Sequence, residues 1–368
     1  MTVGILLAAV IGAAAGAAAA DEPLPDWRVA ADRLIGTPPE SYAFNWGEGV
    51  QMMGLMRAAR ATDDSRYTDY VEKWARLYEP RDLNVLLNIG DAGGNPSRRG
   101  YCGHWSAASA ALYLYQERRR PEHLRLAEAV ARFIRSGAER SPEGGLGHWQ
   151  GSHQYWVDTL YMACPLLAGL GAMQNRREYV EDAAAQILVQ ARHLEDARTG
   201  LFYHMWDWQA GTRSEGYWGR GNGWVLMSLA ETLEAMKKSD ARYSDLEAVA
   251  RKLAHGLELT QDGDGVWHTI LDDPASYPEC SATAMITYGL LKLARLGVLP
   301  TTVRSRAMTA WRAINSRYVK DGVVTGVSAG TGPSGRDSYR TVAVGTETWG
   351  TGAYLLAAAE IARTAGKR

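Results

Sequence analysis

Helical segments of two alternating kinds recur along the whole chain, and that rhythm leaves few architectures open. Apolar residues fall at the 3.6-residue spacing of a helix over long stretches, whereas runs of strict apolar–polar alternation are short and few. The spacing predicts twelve helices, over about 26–36, 46–61, 64–79, 104–118, 122–136, 158–174, 178–193, 222–237, 243–259, 280–296, 301–318 and 346–364. One kind is apolar on most sides and rich in Gly, Ala and Ser, as in Ser106 to Leu114, Thr159 to Gly171 and Ala282 to Leu291, which predicts burial all round. The other kind is amphipathic, as in Tyr179 to Leu194 and Leu246 to Leu259, and belongs on the outside.

Helices of the first kind begin at intervals of about 54–66 residues, a repeat of supersecondary units rather than of sequence. Six inner helices ringed by six outer ones make an all-α (α/α)6 barrel, a six-hairpin toroid. The helix near Trp27 to Ile35 then serves as the outer partner of the last inner helix and closes the ring. An open α-solenoid has the same helix count, but the loops favour the ring. Before each inner helix lies a Gly-rich, aromatic segment: AFNWGEG, RRGYCGHWS, GLGHWQGSHQYWVD, YHMWDWQ with YWGRGNGW, DGVWHTILDDPASYPE and VGTETWG. These segments hold Trp46, Trp105, Trp149, Trp156, Trp206, Trp208, Trp218, Trp224, Trp267 and Trp349. A ring gathers all six over one mouth, where aromatic faces and a few polar groups make a small-molecule pocket. The chain uses 13 Trp and only 3 Phe, although Phe fills cores equally well. Indole faces suit the axial C–H faces of sugar rings, while each Trp taken singly also has a core or loop-anchoring reading.

Composition narrows the partners. The 46% hydrophobic and 22% charged residues are those of a globular chain, not a disordered one. Net charge is −1, from 40 basic and 41 acidic residues, which supplies no footprint for nucleic acid. Residues 1–20 read as a secretory signal peptide: an apolar run from Gly4 ends in Ala18, Ala19 and Ala20, directly before Asp21 and Glu22. The expected organisation is therefore a leader followed by a single catalytic barrel over 21–368, periplasmic or secreted. With the leader removed no membrane segment remains, and the mature protein is expected to be a monomer or homodimer. Cys102, Cys164 and Cys280 are odd in number and widely spaced, so at most one bridge can form and no zinc site is expected. A Cys102–Cys280 bridge would need two inner-helix starts that are not neighbours in a sixfold ring, so three free thiols are expected.

Among the loop residues Asp158 stands out, at the first turn of an otherwise apolar inner helix in QYWVDTLYM. Asp is a favoured cap there, and the helix N-terminus stabilises its anion, so a purely structural role has equal standing from position alone. His148, His153, Tyr155 and Trp156 precede it. A water-excluding aromatic wall disfavours the ionised form and leads to the expectation of a raised carboxyl pKa, as a general acid requires. In WGRGNGW, Arg220 sits between two glycines and is bracketed by Trp218 and Trp224, which suggests a guanidinium held between flat surfaces as a clamp for an anionic sugar. The string matches neither GxGxxG after a strand nor a Walker loop, which argues against nucleotide binding. His204, in TGLFYHMWD, has two readings: a donor to substrate or a structural hydrogen bond.

The strings WVDTLYM, TGLFYHMWD, WGRGNGW, LDDPASYPECSATAM and GTETWGTGAYLLAAAE, in that order over essentially the whole mature chain, resemble those of glycoside hydrolase family 105, the unsaturated rhamnogalacturonyl hydrolases, and of the related family 88. The resemblance implies an (α/α)6 barrel without metal or cofactor. The implied substrate is an acidic oligosaccharide with a 4,5-unsaturated uronic acid at its non-reducing end. It implies that Asp158 donates a proton to C4 and then helps water add at C5. It further implies that His204, Trp218, Arg220 and Trp224 line the subsite for the unsaturated ring and that His148 or His153 lies beside the acid. Trp46, His104 and Trp156, in the same loops, are further candidate substrate-binding residues. The family usually carries a second Asp at the start of the second inner helix, where this chain places Gly103 or His104. Either His104 takes over part of that role, Asp91 approaches on its loop, or the substrate departs from the family norm.

Two alternatives stay open from sequence. A conventional inverting uronidase would need a second carboxylate about 6.5–9.5 Å from Asp158, with Glu48, Asp91, Asp207, Asp273, Glu279 and Glu347 as loop candidates. A glycan-binding barrel without catalysis is the other.

Overall fold

A computed structural model describes residues 26–89 and 96–365; the expected leader over 1–20 and Asp91 lie outside the described residues. In chain order the α-helices are α1 (Arg28–Ile35), α2 (Trp46–Thr62), α3 (Ser65–Arg76), α4 (Leu83–Leu86), α5 (Ala107–Arg118), α6 (Pro121–Ser136), α7 (Val157–Gln174), α8 (Arg177–Leu194), α9 (Gly219–Ala235), α10 (Tyr243–Thr260), α11 (Cys280–Arg295), α12 (Val303–Arg317), α13 (Arg336–Arg340) and α14 (Thr348–Ala365). Twelve of them are the helices expected from periodicity; the short α4 and α13 are additions. Helix α5 starts later than expected because Cys102–His104 forms a separate 3-10 turn before it.

The inner wall is a closed circuit in which α2 packs on α5, α5 on α7, α7 on α9, α9 on α11, α11 on α14 and α14 back on α2. Glycines permit the tightest of these approaches: a Cβ on Gly54 would stand 2.7 Å from the Gly352 carbonyl oxygen, so α2 and α14 touch backbone to backbone. Inner helices are buried around nearly their whole circumference, as α7 and α9 show. The outer helices α3, α6, α8, α10 and α12 bury one apolar stripe each. Helix α1 rests on α14, α2 and α3, which is the ring-closing position the rhythm predicts.

The two ends of the ring differ. At the C-terminal ends of the inner helices a charged lattice fills the floor, with Lys292 of α11 2.7 Å from Glu231 and 2.8 Å from Glu234, both of α9. Arg57 of α2 joins it 3.3 Å from Glu231. At the N-terminal ends the loops form three small antiparallel sheets: β1 (Gln154–Trp156) with β2 (Met205–Asp207) and β3 (Thr212–Arg213), β4 (Val319–Lys320) with β5 (Val323–Val324), and β6 (Val327–Ser328) with β7 (Val344–Gly345). Cys102, Cys164 and Cys280 are buried free thiols.

Candidate active site

The register of β1 on β2 places the central pair of side chains. Trp156 faces Met205 across the strands, and the Val157 N–H donates to the His204 carbonyl at 3.0 Å. The next residue, Asp158, enters the first turn of α7 beside the His204 ring, and His204 Nε2 lies 3.0 Å from Asp158 Oδ2. The N-cap of α7 is Trp156, without a side-chain cap. Asp158 therefore faces His204 rather than capping its own helix.

A cavity of about 260 Å³ opens over this pair, lined by Trp46, Arg98, Tyr101, Cys102, His148, Trp149, Trp156, Asp158, Met162, Trp218, Arg220 and the 330–332 loop. That is below the ~300–1,000 Å³ of pockets for drug-sized ligands, so it seats a small group such as one ring at Asp158 and leaves the rest of a ligand outside. A larger groove of about 520 Å³ lies elsewhere, among Gly171, Asn175, Arg177, Met236 and Asp240, and gathers no comparable set of aromatic and acid–base groups. His148, 3% exposed, stacks on Trp156 with ring centres 4.0 Å apart. Its Nδ1 lies 2.8 Å from Thr159 Oγ1 and 3.2 Å from Cys102 Sγ. Burial pushes the His148 imidazole down to about 3, so it is neutral under ordinary conditions.

The Asp158 carboxyl, with 19% of its side chain exposed, departs from the expectation of a raised pKa. Burial does push it up, but the His204 imidazole, through its charge and its hydrogen bond, with His148 and Arg220 adding to it, brings it below the ordinary carboxylate value. A partner on another loop, invisible to a local reading of QYWVD, reverses the sign.

Several expected roles shift in the same way. His204 is fully buried and lies behind Asp158 instead of lining the cavity; its Nδ1 lies 3.0 Å from the Tyr339 hydroxyl. Trp224 is also buried behind the lining, between Tyr161 and Trp46. The flat surfaces around Arg220 are Trp218 and Trp349, 4.7 and 5.5 Å from its guanidinium carbon, not Trp218 and Trp224. Arg220 is 1% exposed, and its terminal nitrogens donate to the Ser328 carbonyl and Oγ at 2.7 and 2.6 Å, to the Ala329 carbonyl at 2.9 Å and to Thr331 Oγ1 at 3.1 Å. It therefore holds the loop that roofs the cavity, and only its Nε is left without a partner.

His153 takes a left-handed backbone conformation (φ 53°) and turns away to Glu139, 2.9 Å distant, so of the two flanking histidines only His148 reaches the cavity. His104 points its Nδ1 to the Phe44 carbonyl at 3.1 Å and is absent from the lining. A Cβ built on Gly103 would collide with the Tyr101 ring, which fills the space a side chain there would need. Of the ten loop tryptophans, Trp46, Trp149, Trp156 and Trp218 line the cavity. Others anchor loops, as Trp267 does by donating to the Leu257 carbonyl at 2.8 Å.

Among the described residues Asp158 is the only carboxylate in the lining. Asp207 accepts from the Gln209 and Ala210 N–H groups of its own turn, and Asp273 pairs with Arg340 at 2.5 Å. Glu279 caps α11 and accepts from the Ser328 N–H at 2.9 Å. Glu48 and Glu347 are half-buried outside the lining, and burial raises the pKa of each.

Comparison with known proteins places this arrangement. The model of Glycosyl Hydrolase Family 88 matches residues 29–365. The chain belongs to glycosyl hydrolase family 88. The family-88 chain is 30% identical over 343 residues to the unsaturated rhamnogalacturonyl hydrolase YesR of Bacillus subtilis, covering 90% of this chain and 94% of that protein. It is 28% identical over 361 residues to an unsaturated 3S-rhamnoglycuronyl hydrolase of an Alteromonas species, covering 92% of this chain and 84% of the relative. A crystal structure of a possible GH105 family member from Salmonella enterica superposes with a TM-score of 0.78 at 29% identity, covering 87% of this chain and 83% of that one. The protein is a glycoside hydrolase on the six-hairpin fold.

Eight lining residues of this family-88 cavity are not among the site residues expected from the sequence: Arg98, Tyr101, Cys102, Trp149, Met162, Gly330, Thr331 and Gly332. Tyr101 and Cys102 stand in the flagged string RRGYCGHWS, so their loop was legible although their direction was not. Thr331 and Tyr339 come from a stretch without Trp or His, and no signal in the sequence marked it.

Proposed function

We propose that the protein removes a 4,5-unsaturated uronic acid from the non-reducing end of lyase-generated oligosaccharides, with pectin-derived rhamnogalacturonan fragments as the leading substrates. The observation that carries this reading is that Asp158, hydrogen-bonded to buried His204, is the single carboxyl among the described residues lining a one-ring cavity. Hydration of an enol ether uses one acid/base twice in succession, whereas hydrolysis of an ordinary glycoside uses a carboxyl pair.

The residues support each step. Trp46, Trp149, Trp156 and Trp218 present faces to the ring and exclude water. The Asp158–His204 hydrogen bond holds a proton between the two groups, and a uronate anion entering the cavity raises the proton affinity of Asp158 by like-charge repulsion. Asp158 gives that proton to C4, and the C4=C5 electron pair forms the new C–H bond, leaving an oxocarbenium shared by C5 and the ring oxygen. Water adds at C5 and returns its proton to the Asp158 carboxylate. The resulting hemiketal opens by cleavage of C5–O5, giving a ketone at C5 and a hemiacetal at C1. That hemiacetal collapses to an aldehyde and releases the aglycone as an alcohol. To neutral His148, which stacks on Trp156, we assign the hydrogen bond to the incoming water.

The test is loss of the ultraviolet absorbance of the conjugated enoate on incubation with unsaturated uronyl–rhamnose. Turnover by the wild type that Asp158→Asn lowers by about 10³-fold or more supports the reading. Release of a saturated uronide from the same protein, with no loss of enoate, would replace it by the inverting uronidase. The leader over 1–20 supports export, tested by sequencing the N-terminus of protein recovered from the periplasm or medium.

A further inference from the structure

The mouth of the cavity carries a cation that the chemistry at Asp158 does not use. Arg98 belongs to the lining yet is exposed. Its guanidinium carbon stands 5.8 Å from the centre of the Tyr101 ring and 5.6 Å from that of Trp149, within range of cation–π attraction. The backbone beneath it is firmly held. The Arg98 carbonyl accepts from Asn88 Nδ2 at 3.0 Å, the Gln150 N–H donates to the Arg99 carbonyl at 2.8 Å, and the Cys102 N–H donates to the His148 carbonyl at 3.0 Å. The segment 98–102 is thus laced to 148–150, and both carry side chains of the same cavity wall.

Among the charged groups of the described lining, Arg98 stands apart. The charged groups there are Asp158, Arg98 and Arg220. Arg220 is buried, and its terminal nitrogens are engaged by residues 328–331. Arg98 forms no ion pair with a carboxylate among the described residues, and its ring contacts are the two aromatic faces of the rim. The cavity accommodates about one ring, so the rest of a bound oligosaccharide lies outside it, and Arg98 is the exposed cation of the described lining. An aromatic face beside a water-exposed guanidinium offers a sugar both a stacking surface and an anion contact.

We propose that Arg98, with the faces of Tyr101 and Trp149, forms a rim subsite for an anionic group on the aglycone, a carboxylate or a sulfate ester, and so selects oligosaccharides whose residues beyond the unsaturated ring are acidic. This rests on the function proposed above. Arg98 contacts the part of the substrate that leaves, so its contribution is to substrate selection and capture.

The experiment compares three substrates: unsaturated uronyl–rhamnose, the same disaccharide with a sulfate ester on the rhamnose, and an unsaturated oligosaccharide extended by a saturated uronate. For each, kcat/KM is measured for the wild type, Arg98→Gln and Arg98→Lys. The expected result is that Arg98→Gln lowers the ratio of kcat/KM on an acidic aglycone to that on the neutral one by tenfold or more, carried mainly by KM, and that Arg98→Lys recovers part of it. The wild-type preference should also shrink with added NaCl, since an exposed contact is screened. The sulfated and carboxylated arms show which anion is preferred. A ratio within twofold of wild type on both overturns the proposal. If the wild type turns over none of the three, the proposed function fails separately. Calorimetric titration of the same saccharides into Asp158→Asn with and without Arg98→Gln then decides the subsite: equal affinities overturn it, and a tenfold weaker acidic ligand supports it.

Discussion

His204 lies 3.0 Å from Asp158 through Nε2, and that contact sets the protonation of the carboxyl over the cavity. Replacing His204 by Gln leaves burial to act on Asp158 without its main opponent, so the carboxyl pKa rises. The rate depends on protonated Asp158 for the first step, so the limb on which rate falls with rising pH moves to higher pH. The maximal rate drops by about 10²-fold, because the proton reservoir is gone. A pH–rate profile of His204→Gln checks this; an unshifted limb would show that the pair does not govern the acid. The apparent pKa values belong to the pair rather than to either residue.

Tyr339 holds the other side of the same ring, its hydroxyl 3.0 Å from His204 Nδ1 and 3.3 Å from the Ser334 N–H. Tyr339→Phe removes that hydrogen bond inside a buried site while keeping the ring. We expect kcat to fall several-fold with KM nearly constant, and stability to fall by about 1–2 kcal/mol. Steady-state kinetics beside urea unfolding separates the two effects. A loss carried only by KM would contradict a positioning role.

Arg220 fixes the roof through four hydrogen bonds to Ser328, Ala329 and Thr331. A lysine at 220 keeps the charge but cannot reproduce the planar fork, and it leaves buried carbonyls without donors. Arg220→Lys is expected to cost about 2–4 kcal/mol and to open the 329–335 segment to proteolysis. Thermal unfolding and limited proteolysis with mass mapping test both. Unchanged protection would mean that the loop is held by β6 and β7 alone.

How far the sequence could be read follows from the range of the forces involved. The barrel was legible because an inner helix must be apolar all round and an outer one on a single stripe, which are local patterns. Asp158 was legible for the same reason: a carboxylate at the start of an apolar helix is conspicuous. Its proton affinity was not, since His204 arrives from 46 residues away. Trp224 and His104 fell in the right loops but face the wrong way, because a loop's aromatic content does not encode which side chain turns inward. Tyr339 and Thr331 belong to a polar stretch whose place over the cavity depends on Arg220 reaching residues more than 100 positions on.

His148 makes stability depend on pH. Its imidazole is 3% exposed, and burial lowers it from about 6.5 to about 3. Unfolded chains take up that proton as pH falls below about 6.5 and the folded chain does not, so the unfolded state binds more protons across the window from 6.5 down to 3. The stabilisation is therefore complete above pH 6.5 and is lost progressively as pH falls, at on the order of 1 kcal/mol per pH unit. His148→Gln should flatten the acid side of a plot of unfolding free energy against pH. An equally steep slope in the variant would assign the acid lability to other groups.

The floor of the barrel gives a prediction free of the catalytic end. Lys292 is fully buried and donates to Glu231 at 2.7 Å, to Glu234 at 2.8 Å and to the Tyr288 hydroxyl at 3.1 Å. Removing one partner of a buried pair strands the other charge, at a cost of about 3–5 kcal/mol, whereas replacing both by apolar groups of similar volume is close to neutral. Here Arg57 remains 3.3 Å from Glu231, and Arg295 lies 2.9 Å from Glu234, so part of the stranded charge stays compensated. Lys292→Met is therefore expected near the lower end of that range, about 3 kcal/mol. Lys292→Met with Glu231→Leu should recover stability relative to Lys292→Met alone, because the carboxylate left facing Tyr288 is gone. A double-mutant cycle by urea unfolding measures the coupling, and strict additivity would contradict it. Turnover per folded molecule should stay within about twofold of wild type in each variant, since sites without shared partners behave independently and the lattice lies at the opposite end of the inner helices from Asp158.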